Sequence, residues 1–181
     1  MPSKEEPDVY LFIGFFSPDG FVMDYQKKPV ICFGLERFKD FRLLKILFGH
    51  EYAHFLLNLN REKIPEEKQF QWIIISEGIA VYLSRLVFPD YKLSDHLLFT
   101  DDRLNWCLKN ESELRKKYLS EKWTSQELID LYTQGDPHLD IPPRVGRYLG
   151  FQAVKKYAAR ETKKRLKDLL SDKKKALALE L

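Results

Sequence analysis

Phe48-Gly49-His50-Glu51-Tyr52-Ala53-His54-Phe55-Leu56-Leu57 is the stretch that decides how this chain folds. It lies within an apolar segment running from Phe41 to Leu59. Apolar residues fall nearly all round a helical wheel from about Phe38 or Asp40 to Asn60, which predicts a central, buried helix. Residues four apart on a helix stand one above the other on one face, so His50 and His54 can reach a single metal ion. Glu51, about 100° further round, can sit beside a metal-bound water. Gly49 costs such a helix roughly 1 kcal/mol relative to Ala. It is either tolerated or there to admit a neighbouring backbone.

Zinc sites of hydrolytic type use three protein ligands and leave the fourth position open. No third histidine follows His54 on the same segment, and His96 and His138 are both distant in sequence. The acidic candidate is Glu77, in Trp72-Ile73-Ile74-Ile75-Ser76-Glu77-Gly78-Ile79-Ala80-Val81-Tyr82. A carboxylate in so apolar a run is expensive to bury unless it is paired or binds a metal. Pro65-Glu66-Glu67 opens this second helix, which is predicted to reach about Phe88 and stop at Pro89. The interval from His54 to Glu77 is long enough for the first helix to end and the second to return antiparallel. The competing reading of Glu77 is a buried carboxylate paired with an arginine.

Around these two helices the fold class is α+β. Val9 to Phe16, Phe21 to Tyr25 and Pro29 to Phe33 read as strands of a small antiparallel sheet, with Ser17-Pro18-Asp19-Gly20 as a turn. Val9 to Phe16 is apolar on both faces, so both are expected to be covered. Further helices are expected from about Asp101 to Leu119, from a capping box at Thr124 and Glu127 to Tyr132, from Arg144 to Arg160, and from Thr162 to Leu170. The 181 residues suit a single domain, with the sheet at about 8–35, a helical body at 38–170 and a basic tail at 171–181.

With 44% hydrophobic residues the chain can build a core, and its net charge of +3 does not argue for nucleic acid. The lysine-rich segment from Arg160 reads as a solvated face. Cys32 and Cys107 have no C-x-x-C partner and are expected as buried, reduced thiols. The polar, acidic start does not look like an export signal, and Trp72 to Phe88 is interrupted by Ser76, Glu77, Ser84 and Arg85. No membrane segment and a cytoplasmic location are therefore expected.

His50-Glu51-x-x-His54 followed by Glu77-Gly78-x-Ala80-x-Tyr82 resembles the gluzincin metalloproteases. The pair is also similar to a bacterial family of predicted zinc-dependent proteases that carries a later G-x-x-x-G-[FY] segment. Here that segment is Gly146-Arg147-Tyr148-Leu149-Gly150-Phe151. The resemblance spans roughly Val9 to Leu170. It implies a zincin-like fold, a Zn2+ ion on His50, His54 and Glu77, and a peptide or protein substrate. The expected activity is peptide hydrolysis by a metal-activated water, with Glu51 as general base. It further implies a residue that stabilises the oxyanion, for which Tyr148 is the first candidate, with His138 and Arg144 as alternatives. Tyr148 also reads simply as a core or surface tyrosine. Strand Val30 to Phe33 is the expected edge for an added peptide strand. Acceptors for the histidine N–H groups are sought among Glu36, Asp130, Asp136 and Asp140. Other readings stay open: a non-catalytic module in which zinc staples two helices, and a regulatory protease that cleaves repressors.

Overall fold

Three strands open the chain in the computed structural model: β1 (Val9–Phe12), β2 (Gly20–Tyr25) and β3 (Lys28–Gly34). The structure describes residues 6–14, 18–38, 40–60, 62–120, 124–159 and 162–181, without the side chains of 162–164. Phe15, Phe16 and Ser17 of the expected strand and turn, and Arg160 at an expected helix end, lie outside it. The sheet is mixed rather than antiparallel, with order β1-β3-β2. β2 and β3 form the hairpin, closing at Gln26 and Lys27, both with positive φ, the conformation that matches strand twist in a tight two-residue turn. β1 then lies parallel to β3 on its far side.

This order corrects two expectations. β3 is the central strand and not an edge, so it offers no free backbone to a peptide. It is also β3, not β1, that is covered on both faces. Val30, Ile31, Cys32 and Phe33 are all buried, whereas Leu11 of β1 is 58% exposed. Ile31 and Phe33 pack on Leu47 and Phe55 of the first helix.

The helices are α1 (Leu44–Leu59), α2 (Gln69–Val87), α3 (Leu93–Leu97), α4 (Asp101–Tyr118), α5 (Ser125–Gln134), α6 (Val145–Ala158), α7 (Thr162–Ser171) and α8 (Lys173–Leu177). Local chemistry sets their ends. Thr124 and Glu127 form the predicted capping box, Thr124 N donating to Glu127 Oε2 at 2.8 Å and Glu127 N to Thr124 Oγ1 at 3.3 Å. Asp40 accepts from Arg42 N at 2.9 Å and starts the turn that leads into α1. Residues 171–181, read as a basic tail, contain α8, whose Ala176 is fully buried.

α2 is the spine. It contributes to the cluster formed with α4, α5 and α6, and to a second formed with α1, α6, α7 and α8. By length and composition alone Glu66–Val87 could cross a bilayer. Here it is a core helix, packed on α1 and α6. Its contact with α6 is backbone on backbone. A Cβ on Gly150 would lie 2.0 Å from Ile74 O, and one on Gly78 2.1 Å from Gly150 C. No side chain other than hydrogen fits either position.

His96 fastens α1, α2 and α3 together. It is fully buried, with Nδ1 3.0 Å from Ser84 Oγ and Nε2 3.1 Å from Phe88 O. Ser84 Oγ also lies 2.9 Å from Ile46 O of α1. Burial lowers the pKa of His96, with Arg85 adding to the effect and Phe88 O and Asp95 opposing it. The unfolded chain therefore takes up this proton first as pH falls. The stabilising contribution is complete above about pH 6.5 and is lost as pH drops through the folded pKa, at up to about 1.4 kcal/mol per pH unit. Melting curves from pH 7.5 to 5 are expected to fall more steeply for the wild type than for His96→Gln.

Candidate metal centre

Three polar side chains converge where α1 faces α2. His50 and His54 project from α1 one turn apart, and their Nε2 atoms are 3.2 Å from each other. Glu77 of α2 closes the triangle, Oε2 lying 3.3 Å from His50 Nε2 and Oε1 3.4 Å from His54 Nε2. His50 is 1% exposed, whereas His54 and Glu77 retain 18% and 25% of their side-chain surface. Among the described residues these three form the one His, Cys and acid group with ligand atoms close enough to share an ion.

The spacing fits a metal. Zinc bonds of about 2.0–2.1 Å at tetrahedral angles place ligand atoms about 3.3–3.4 Å apart. The two nitrogens are 3.2 Å apart, and each has its own Glu77 oxygen at 3.3 or 3.4 Å, all at or beside that value. Without an ion, two imidazole nitrogens face each other and a carboxylate across a short gap, and protons must be shared among them. The groups respond unequally to this site. Burial pushes His50 down to about 4. For His54 the pull of Glu77 overcomes burial and raises the pKa. Burial would raise Glu77 too, but Arg147 and the two imidazoles hold it well below the usual carboxylate range.

Arg147 is the member of the site that the sequence did not reveal. Its Nε lies 2.7 Å from Glu77 Oε2, so Glu77 is both an arginine partner and a candidate ligand. The contact is close but poorly aligned, and the buried Oε2 has no hydrogen bond of good geometry. Arg147 reaches Glu77 because Gly146 and Gly150, either side of it on α6, let that helix touch α2. The Gly-x-x-x-Gly spacing was the available signal.

Glu51 is 3% exposed and stands next to Gly20, whose Cβ would lie 3.0 Å from Glu51 Cγ. Burial pushes its carboxyl up to about 7. Glu51, His54, Glu77 and Arg147 border a shallow hollow of about 230 Å³ with Gly20, Phe21 and Val22 of β2. The set can hold a divalent ion with one position open toward this hollow.

Of the other expected site residues, Arg144 lines a cavity of about 180 Å³ with Glu77 and Arg147, whereas Tyr148 is packed in the core. Tyr148 is 1% exposed and donates from its hydroxyl to Glu111 Oε2 of α4 at 2.6 Å, which gives it a core role. Tyr148→Phe is expected to cost about 1–2 kcal/mol of stability in urea unfolding and to leave metal affinity unchanged. His138 donates its backbone N–H to Asp136, and Arg144 pairs with Asp19 at 3.3 Å. The expected acceptors do not serve His50 either. Asp130 takes a hydrogen bond from Gln126 and Glu36 one from Gly14, and His50 Nδ1 is buried with no partner among the described residues.

A family profile described as gliding motility protein GldB, a lipoprotein family, matches residues 50–180. No curated protein and no solved structure matches the chain. The profile match overturns the resemblance to gluzincins as a statement of kinship, because this is a motility family and not a peptidase family. Zinc-dependent peptide hydrolysis with Glu51 as general base is overturned with it. A lipoprotein family is membrane-associated, so the expected cytoplasmic location is corrected as well.

Proposed function

This chain belongs to the gliding motility protein GldB family, and from that premise we propose that it serves a gliding-motility apparatus as a membrane-associated, non-enzymatic metal-binding module. His50, His54 and Glu77 hold the ion, for which zinc suits two imidazoles and a carboxylate. Bound there, zinc supplies a fixed positive charge that compensates a partly buried carboxylate and joins two helices. In this reading the zincin-like helix pair is a clip.

The observation that carries the proposal is the convergence of the two Nε2 atoms, 3.2 Å apart, on the Glu77 carboxylate, whose oxygens lie 3.3 and 3.4 Å from them. The chain's own residues prepare it. α1 sets the two imidazoles one turn apart. The glycine contact between α2 and α6 brings Arg147 to Glu77, which keeps that carboxylate ionised and aimed at the histidines. Glu51 does not join the three and stands beside them, bordering the same hollow.

Colony spreading of a gliding bacterium that lacks its own copy tests the role. A plasmid-borne wild type is expected to restore spreading, and His54→Ala to fail at equal protein level. Glu51→Gln is expected to restore it, since no proton transfer by Glu51 is required. Loss of spreading with Glu51→Gln, in protein that keeps its metal, would count against a purely structural ion.

A further inference from the structure

Arg103 of α4 is a cation without an acidic partner among the described residues. Its guanidinium lies over the Phe99 ring, 5.3 Å from the centroid, and no carboxylate among the described residues reaches it. Its neighbours do not supply the missing charge. Arg37 and Arg144 share the single carboxylate of Asp19, at 3.4 and 3.3 Å. Burial, with Arg144 and Arg147 close by, lowers the pKa of Arg103, as expected for a cation short of compensation.

Arg103 borders a cavity of about 380 Å³ between α1, the turn after α3 and the loop before β2. Its apolar lining comes from Phe38, Leu43, Leu47, Leu98 and Phe99. Leu47 lies on α1 one turn ahead of His50, so the cavity is next to the metal centre but contains none of its three ligands. An apolar chamber with one unmatched guanidinium is the arrangement that binds a small amphipathic anion.

We propose that this cavity is a binding site for a small monocarboxylate with an apolar body, its carboxylate received by Arg103 and its hydrocarbon by the leucine and phenylalanine wall. A singly charged, planar head matches one guanidinium fork. Asp19, held by Arg37 and Arg144, also borders the cavity, as do Arg37, Asp40 and Asp95. Asp40 is engaged by Arg42 at 2.6 Å and Asp95 by the Lys92 backbone N–H at 3.1 Å, so neither neutralises Arg103. Both would repel a dianionic phosphate head, which favours a carboxylate ligand over a phosphate one.

Octanoate is the probe, titrated calorimetrically into the full chain with octanol and octyl phosphate in parallel. Saturable 1:1 binding of octanoate is expected, with octanol and octyl phosphate each at least about tenfold weaker. Arg103→Met is expected to weaken octanoate about tenfold or more, with Arg103→Lys between the two and Lys109→Met, exposed further along α4, without effect. Circular dichroism of each variant separates lost binding from lost fold. Because no metal ligand lines the cavity, octanoate binding is expected to persist after zinc is stripped. Absence of saturable binding, equal affinity in Arg103→Met, preference for octyl phosphate, or binding that requires zinc would each overturn the proposal. The first three results leave the metal reading untouched.

Discussion

Adding zinc to metal-free protein is expected to raise its Tm by roughly 8–16 °C. An ion at a thousand times its Kd stabilises a one-site protein by about 4.1 kcal/mol, and a chain of this size gains roughly 2–4 °C per kcal/mol. The site is formed from two separate helices, so a ligand that binds only the folded form draws fully on that linkage. Metal-free protein should still fold, because Arg147 already stands 2.7 Å from Glu77. His54→Ala is expected to abolish the zinc-dependent rise. A rise of the same size in wild type and His54→Ala would show that zinc binds elsewhere.

The second large effect lies away from the ion. Gly150→Ala is expected to destabilise the protein by about 4 kcal/mol or more, above the 1–3 kcal/mol usual for an overpacked core. The added Cβ would meet Ile74 O at 2.0 Å, and a backbone oxygen inside a helix cannot rotate aside. α6 must instead move away from α2, taking Arg147 from Glu77. Urea unfolding should show the loss of stability, and zinc titration of the surviving folded protein a weaker site. Gly49→Ala is the control. Its Cβ would meet the Phe88 ring at 3.2 Å, a side chain that can shift, so a loss near 1 kcal/mol is expected. Equal losses in the two variants would contradict the backbone contact between α2 and α6.

Much of the helical body was legible because its signals are local. The capping box at Thr124 and Glu127, the proline ahead of α2 and the all-round apolarity of α1 each act within a few residues. Glu77 stood out for a related reason, being the one charge in an apolar run. The sheet was not legible in the same way. A turn residue can announce a reversal, but it does not say that β3 will insert between β1 and β2. Arg147 escaped because its partner lies on another helix, brought close only by glycines whose contact is a tertiary fact. His96 lies apart from the three convergent side chains, and its bond to Ser84 was invisible. The family was the furthest from view. Two histidines at helical spacing specify what an ion needs locally, and that chemistry recurs in chains with unrelated roles.

Bound metal in purified protein, measured by mass spectrometry under native conditions after exposure to zinc and removal of excess, tests the triangle most directly. One zinc per chain is expected for the wild type and for Glu51→Gln, and none for His54→Ala or Glu77→Ala. A folded wild type without stoichiometric zinc, or a zinc ion retained when both His54 and Glu77 are replaced, would contradict the assignment of His50, His54 and Glu77 as its ligands.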